Sequence, residues 1–173
     1  KDADGIIITG SSKEVYDNEL WIKNLKKTIL KLSGQNIPIL GVCFGHQLLA
    51  EIYGGKVTKN PKGREIGTCT ISLAKDAKND ELFSGLSKNL LVQESHISSV
   101  VRLPKEAMLL AKNKFGNQAF RIANKCIWGV QFHPEVTPKI LKKVIHFRKN
   151  LLENEGIDST EVYKKVKNTP SVV

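Results

Sequence analysis

Apolar and polar residues follow two different periods along this chain. Residues 5–9 form a short, branched apolar run of the kind that fills a buried parallel strand. A turn follows at Gly10-Ser11-Ser12. Trp21, Ile22, Leu25, Ile29 and Leu32 then recur at helical spacing, which predicts a helix with Asp17 as N-cap and Gly34 as its stop. Residues 37–42 predict a second strand and 45–53 a second helix, closed by Gly54-Gly55. This order of strand, helix, strand, helix implies an α/β domain. Its central sheet is expected to be mostly parallel and flanked by helices in three layers, with functional groups at the carboxyl ends of the strands.

The middle of the chain changes character. Residues 66–73, 90–94, 100–103, 108–111 and 118–123 are short strand-like runs separated by turn residues, which predicts a small antiparallel extension. Residues 126–132 return to the buried-strand style. Residues 138–152 then predict one amphipathic helix, with Ile140, Leu141, Val144, Ile145, Leu151 and Leu152 inward and lysines outward. A last helix is expected over 158–167, capped by Asp158 or Ser159, and 169–173 should fray.

The chain has 173 residues, so a single domain over 1–173 is expected, with 154–173 as a C-terminal extension. A chain of this length buries roughly 70% of the surface it exposes when unfolded. It contains no apolar stretch of about 18 residues and opens on no signal-peptide pattern, which predicts a cytoplasmic protein without a membrane partner. The formal charge of +10 is spread along the sequence, with dense patches only at 139–149 and 164–167. No aromatic stacking series accompanies them, so solvated lysine faces are expected rather than a nucleic-acid partner. Cys43, Cys69 and Cys126 contain no C-x-x-C pair, so neither a disulfide framework nor a metal site is expected, and no cofactor motif is present.

One cysteine stands apart. Cys43 lies in Gly41-Val42-Cys43-Phe44-Gly45-His46-Gln47, directly after the apolar run Ile37-Pro38-Ile39-Leu40. A cysteine bracketed by glycines at a strand–helix junction is the pattern of a nucleophile elbow, where the turn is too crowded for β-carbons on either side. A thiol there sits at a helix N-terminus, which stabilises negative charge. Downstream, Gln131-Phe132-His133-Pro134-Glu135 supplies an imidazole and a carboxylate. In an extended segment His133 and Glu135 share one face, so the carboxylate can orient the ring. These features predict a cysteine-nucleophile enzyme with Cys43, His133 and Glu135 as its catalytic residues.

Other readings compete at each position. Cys69 and Cys126 are expected to be small buried hydrophobes. His46, three residues past the elbow, is expected to point aside as a structural hydrogen-bonder. His96 is a secondary, substrate-side candidate, and His146 a solvated residue among lysines. Taken alone, without the cysteine motif, the segment 132–135 reads better as a strand end with a turn.

The two motifs in this order resemble the class I (triad) glutamine amidotransferases, over nearly the whole chain. Residues 4–11 look like that family's strand and oxyanion turn, and Ser95-His96 ahead of Leu103-Pro104 also fits. Residues 9–17 and Trp21-Ile22-Lys23 look most like its stand-alone, GMP-synthase-like branch, which includes γ-glutamyl peptidases. The resemblance implies a flavodoxin-like fold that usually begins with a further strand–helix–strand, so a missing N-terminal segment is expected here. It implies hydrolysis of glutamine, or of another γ-glutamyl compound, through a thioester on Cys43. The oxyanion would be held by the Gly10-Ser11 turn and Phe44, and the substrate's amino-acid end by Gln47 and the backbone of Ser95-His96-Ile97. It implies no metal or cofactor, and a synthetase domain or subunit that accepts the ammonia. Ser11 departs from the family, where a second glycine is common, as does Ile97-Ser98, where GMP synthases have Gly-Asp. A stand-alone γ-glutamyl peptidase and a non-catalytic regulatory binding module are the alternatives.

Overall fold

The computed structural model describes residues 3–169. A mixed seven-stranded sheet forms its centre, with strands in the order β1 (Ile6–Ile8), β2 (Ile39–Val42), β9 (Ile127–Val130), β8 (Gly116–Ile122), β7 (Ala107–Asn113), β4 (Glu65–Leu73) and β5 (Asn89–His96). The first three strands are parallel, with Gly41 of β2 opposite both Ile8 and Gly129. From β9 outward every pairing is antiparallel. The α/β class expected from the sequence is present. The antiparallel part, however, is the larger share of the same sheet rather than a small appendage. A second, two-stranded antiparallel sheet pairs β3 (Lys56–Lys59) with β6 (Ser98–Arg102).

Helix α1 (Leu20–Leu32) and helix α2 (Phe44–Ile52) pack with β1 and β2 around a core that includes Ile22, Ile29, Leu48, Leu49 and Phe120. Trp21 is partly exposed but rests on the Phe44 ring, with centroids 5.6 Å apart. The ends of α1 differ from the expected ones. Glu19 is the N-cap residue, while Asp17 accepts from the Glu14 N–H in the preceding turn. The helix runs into a single 3₁₀ turn over Ser33–Gln35, and Asn36, at φ 57°, takes the left-handed position in place of Gly34. Asn is the residue other than glycine that most readily adopts this conformation.

The amphipathic segment after residue 137 breaks in two. Helix α3 (Pro138–Phe147) is capped by Thr137, and α4 (Lys149–Asn154) follows after Arg148 leaves helical geometry. The break turns Leu141, Ile145 and Leu152 inward but leaves Ile140 and Leu151 exposed, contrary to the single-helix expectation. Helix α5 (Ser159–Lys165) is capped by the Asp158 side chain, which accepts from the Glu161 N–H. The fraying expected at 169–173 falls, beyond Thr169, outside the described residues. None of the described helices is long and apolar enough to cross a membrane.

Helix α2 lies so close to the parallel strands that no side chain fits between them. A β-carbon on Gly45 would come 2.2 Å from the Ile8 carbonyl oxygen, and one on Gly41 would come 2.5 Å from the Gly45 backbone. Gly45→Ala or Gly41→Ala should therefore cost about 3 kcal/mol or more in urea unfolding, at the upper end of overpacking penalties. Gly34 has open space around it and no positive φ. Gly34→Ala should be neutral or stabilise by up to about 1 kcal/mol in the same assay.

Candidate active site

Cys43 is the residue between β2 and α2, and its backbone sits at φ 52° and ψ −100°. That is a strained geometry for a residue with a β-carbon, of the sort that persists only when its surroundings enforce it. The enforcement is visible on both sides. The Cys43 N–H donates to the Val130 carbonyl of β9, 2.9 Å away, and its own carbonyl accepts the first helical bond from the Gln47 N–H at 3.1 Å. Phe44 is the first residue of α2, so its N–H has no acceptor within the helix and is free for a ligand.

His133 arrives from the end of β9. Its N–H donates to the Gln93 carbonyl at 2.9 Å, and its Nδ1 lies 2.7 Å from Glu135 Oε1. The backbone of Gly10 packs beside both His133 and Cys43. A β-carbon there would lie 3.2 Å from His133 Cε1 and 3.7 Å from Cys43 Cβ. Burial alone would lower the His133 pKa. The Cys43 and Glu135 groups facing the ring outweigh it and push it up to about 10. Burial likewise opposes ionisation of Glu135, but its hydrogen bond to His133 holds the carboxyl below its usual range. His133 is thus held in its charged form between the Glu135 carboxylate and the Cys43 side chain.

Cys43 opens onto a cleft with two lobes, which meet at Ser11, Ser12, Cys43, Ser95 and Arg148. One lobe, of about 370 Å³, runs past His133 and Glu135 and is walled by Val136, Leu141 and Val144. The other, of about 280 Å³, runs past Phe44, Gln47, His96 and Ile97 to Lys13, Arg64 and Leu151. Gly10 lines the first lobe, and Ser11 lines both. The Ser11 hydroxyl accepts from the Lys13 N–H at 3.0 Å, a local turn that fixes this loop where a second glycine is common in the resembled family. Gln47 is buried and spends its amide N–H groups on the Ser98 carbonyl and Gln131 Oε1.

His96 lines the Gln47 lobe, but its ring is committed to the protein. It is nearly fully buried, and both ring nitrogens are occupied within the protein. Nδ1–H donates to the Ser98 carbonyl at 2.9 Å, and Nε2 lies 3.1 Å from Glu65 and 3.3 Å from Glu94. Glu65 also accepts from Asn113 and Gln118. Burial disfavours the imidazolium, but the two carboxylates outweigh it and push His96 up to about 10. The ligand atoms of Glu65, Glu94 and His96 lie within 4.8 Å of one another, a spacing that suits a divalent ion, yet the Nε2 proton is already committed to Glu65, with Glu94 3.3 Å away as a second counter-charge. The backbone around Ser95 and Ile97, rather than the imidazole, is what His96 holds at the cleft.

His46 also departs from expectation. Instead of hydrogen-bonding, it packs on Phe120 at 4.8 Å between ring centroids, with neither ring nitrogen partnered among the described residues. Burial lowers its pKa to about 3, so it is a neutral packing group. Cys69 is partly buried, and burial pushes its thiol up. His146 is exposed, as expected. The sequence reading missed Glu94, Arg64 and Arg148 as lining residues. Only Arg148 carried a signal, since it continues the Leu141–Val144 face of the amphipathic pattern.

The buried cluster generates a stability prediction. His96→Asn removes the cation between two buried carboxylates and should cost about 3–5 kcal/mol in urea unfolding at pH 7. The folded His96 pKa lies above its ordinary value of 6.5, so its contribution is full below about 6.5 and is lost as pH rises towards 10. Glu94, pushed up to about 7 by burial, titrates below most of that window. The stability gap between wild type and His96→Asn should therefore narrow between pH 7 and 10.

The family model for class I glutamine amidotransferases matches residues 1–152. Gamma-glutamyl peptidase 5 of Arabidopsis thaliana is 34% identical over 145 residues, covering 82% of this chain and 57% of the relative. A glutamine-hydrolyzing GMP synthase subunit of Archaeoglobus fulgidus is 34% identical over 139 residues, 79% of this chain and 68% of the relative. The crystal structure of a glutamine amidotransferase from Thermotoga maritima superposes with a TM-score of 0.77 at 27% identity, covering 91% of this chain and 68% of that one. The chain spans 57–66% of the length of the plant γ-glutamyl peptidases it matches. On sequence and fold together, the chain belongs to the class I glutamine amidotransferase family.

Proposed function

We propose that this chain hydrolyses the side-chain amide of glutamine through a γ-glutamyl thioester on Cys43, releasing glutamate and passing ammonia to an acceptor. The reading rests above all on one observation: His133 lies between Cys43 and Glu135, held as an imidazolium beside an elbow cysteine. The Cys43 thiolate attacks the amide carbon, and the resulting oxyanion is met by the Phe44 N–H and the Gly10-Ser11 backbone. Each such donor is worth about 2.7–4 kcal/mol in related chemistry. The carbon–nitrogen bond then breaks as His133 protonates the departing nitrogen. Water attacks the thioester next, giving one proton to His133, and the carbon–sulfur bond breaks to release glutamate and restore the Cys43 thiolate beside protonated His133. Glu135 keeps the ring in its productive tautomer throughout.

Ammonia made in this way is useful only if delivered before it is protonated. The sequence holds no ATP-binding motif, so the acceptor-activating synthetase would lie in a separate domain or polypeptide. The Archaeoglobus fulgidus relative, named as one subunit of a GMP synthase, supports that arrangement.

A γ-glutamyl peptidase is the second reading, and the first lobe favours it. His133 delivers its proton on the side where Val136, Leu141 and Val144 form an apolar wall. Departing ammonia needs no such wall, whereas an amine carrying an apolar side chain would pack against it. Glutamate release from glutamine and from a γ-glutamyl peptide, measured in parallel, separates the two. Release from the peptide alone favours the peptidase.

In either case Cys43→Ala should reduce turnover by a factor of about 10⁴ or more without loss of fold. An unchanged rate in a folded variant overturns the mechanism. His133→Ala should cost more than Glu135→Gln, because the carboxylate orients the proton donor but does not transfer the proton. The alkaline limb of the rate profile should lie near pH 10, where His133 loses its proton, and should move to lower pH in Glu135→Gln.

A further inference from the structure

Besides His96, which is committed to Glu65 and Glu94, three cations line the lobe of the cleft that contains Gln47, and two of them are already neutralised. Lys13 pairs with Glu19 at 2.7 Å. Arg64 forms a two-pronged pair with Glu155, through Nε at 2.7 Å and Nη2 at 2.9 Å. Arg148 is the exception. Its guanidinium is half-buried and lines both lobes beside Cys43, and no carboxylate lies within 4.0 Å of it among the described residues. One N–H donates to Ser95 Oγ at 2.9 Å, which tethers the group and leaves its remaining donors without a partner among the described residues. Burial and the nearby Arg64 both oppose the charge on this side chain. The fold nevertheless holds it at the cleft, through the break between α3 and α4 that turns residue 148 out of the helix.

A half-buried guanidinium with a free fork is a site for a planar anion, most favourably a carboxylate. We propose that Arg148 binds the free α-carboxylate of the γ-glutamyl substrate and so selects compounds in which that group is ionised. The proposal rests on the reading that Cys43 attacks a γ-glutamyl carbonyl. With the γ-carbon at Cys43 and the leaving nitrogen towards His133, the amino-acid end of the substrate extends into the Gln47 lobe. Arg148 is the cation free to meet it there. Ser95 acts through Arg148 as a positioning residue, since its hydroxyl orients the fork without needing to touch the substrate.

Two measurements test this, one of turnover and one of binding. In steady-state glutamate release, Arg148→Gln should raise KM for L-glutamine or a γ-glutamyl peptide by 10-fold or more, with kcat changed less than about 3-fold, a range typical of a lost charge-assisted pair. Arg148→Lys, which keeps the charge but not the fork, should recover part of the loss. With the α-carboxamide form of the same substrate, wild type and Arg148→Gln should be equally poor. An equal KM rise on both substrates, or none, overturns the proposal.

The binding measurement follows protection of Cys43 from iodoacetamide and needs no turnover. L-glutamate should protect wild type and require at least 10-fold higher concentration in Arg148→Gln, while L-isoglutamine, whose α-carboxylate is an amide, should protect both weakly and alike. Absence of protection by glutamate in wild type, or equal protection in the variant, also overturns it. Protection lost in the variant, in a protein that hydrolyses nothing, would instead sustain the carboxylate site and count against the hydrolytic reading.

Discussion

The strained backbone at Cys43 is the constraint on which the rest of the structure depends. A residue with a β-carbon held at φ 52° and ψ −100° stores strain of order 1–3 kcal/mol, which the surroundings must offset. Here they do so by close approach. Gly45 lets α2 rest on the Ile8 carbonyl, Gly41 lets β2 pass under α2, and the Val130 carbonyl fixes the Cys43 N–H. Because the thiol is placed by β1, β2 and β9 together, the loops leaving those three strands necessarily surround it. The turn at Gly10-Ser11 leaves β1, the elbow leaves β2, and His133 leaves β9. The strand order of the parallel part therefore brings the Gly10-Ser11 turn, the Cys43 thiol and the His133 imidazole to one place although they lie far apart in sequence.

The antiparallel part has a different task. Strands β4 and β5 place Glu65 opposite His96, and the buried cluster of Glu65, Glu94 and His96 stabilises the backbone of the strand end that borders the cleft. On the same strand, the Gln93 carbonyl holds the His133 backbone, and Ser95 takes the hydrogen bond from Arg148. Buried charges of this kind contribute little net stability against an apolar replacement, so their use here is better understood as fixing one arrangement of groups. His133 is held through its main chain and through Glu135 at once. An imidazole fixed in this way loses little orientational freedom when a substrate enters.

The parallel strands, the elbow and the His133–Glu135 pair were legible because each depends on local rules. A branched apolar run, a glycine-bracketed cysteine and an i, i+2 spacing carry their meaning within a few residues. Elements that depend on distant partners were not legible. Strand β3 is a four-residue run whose two terminal lysines flank a single buried valine, and it exists because β6 pairs with it. The pairing direction beyond β9 is set by hairpins whose turn residues also suit a crossover. His96 looked like a substrate-side group because Glu65, 31 positions away, cannot be seen as its partner from local sequence. The unbroken apolar spacing through residues 138–152 hid the turn at Arg148, since only packing of Leu152 with α5 and β4 requires the helix to change direction.

The account stands most directly on the identity of the nucleophile. The measurement that tests it is mass spectrometry of the protein quenched in acid during turnover of glutamine or a γ-glutamyl peptide. The account predicts a γ-glutamyl group on the peptide that carries Cys43, labile to hydroxylamine as a thioester is, and absent from Cys43→Ala. Turnover with no adduct at Cys43, or with the adduct on Cys69 or Cys126, would contradict it.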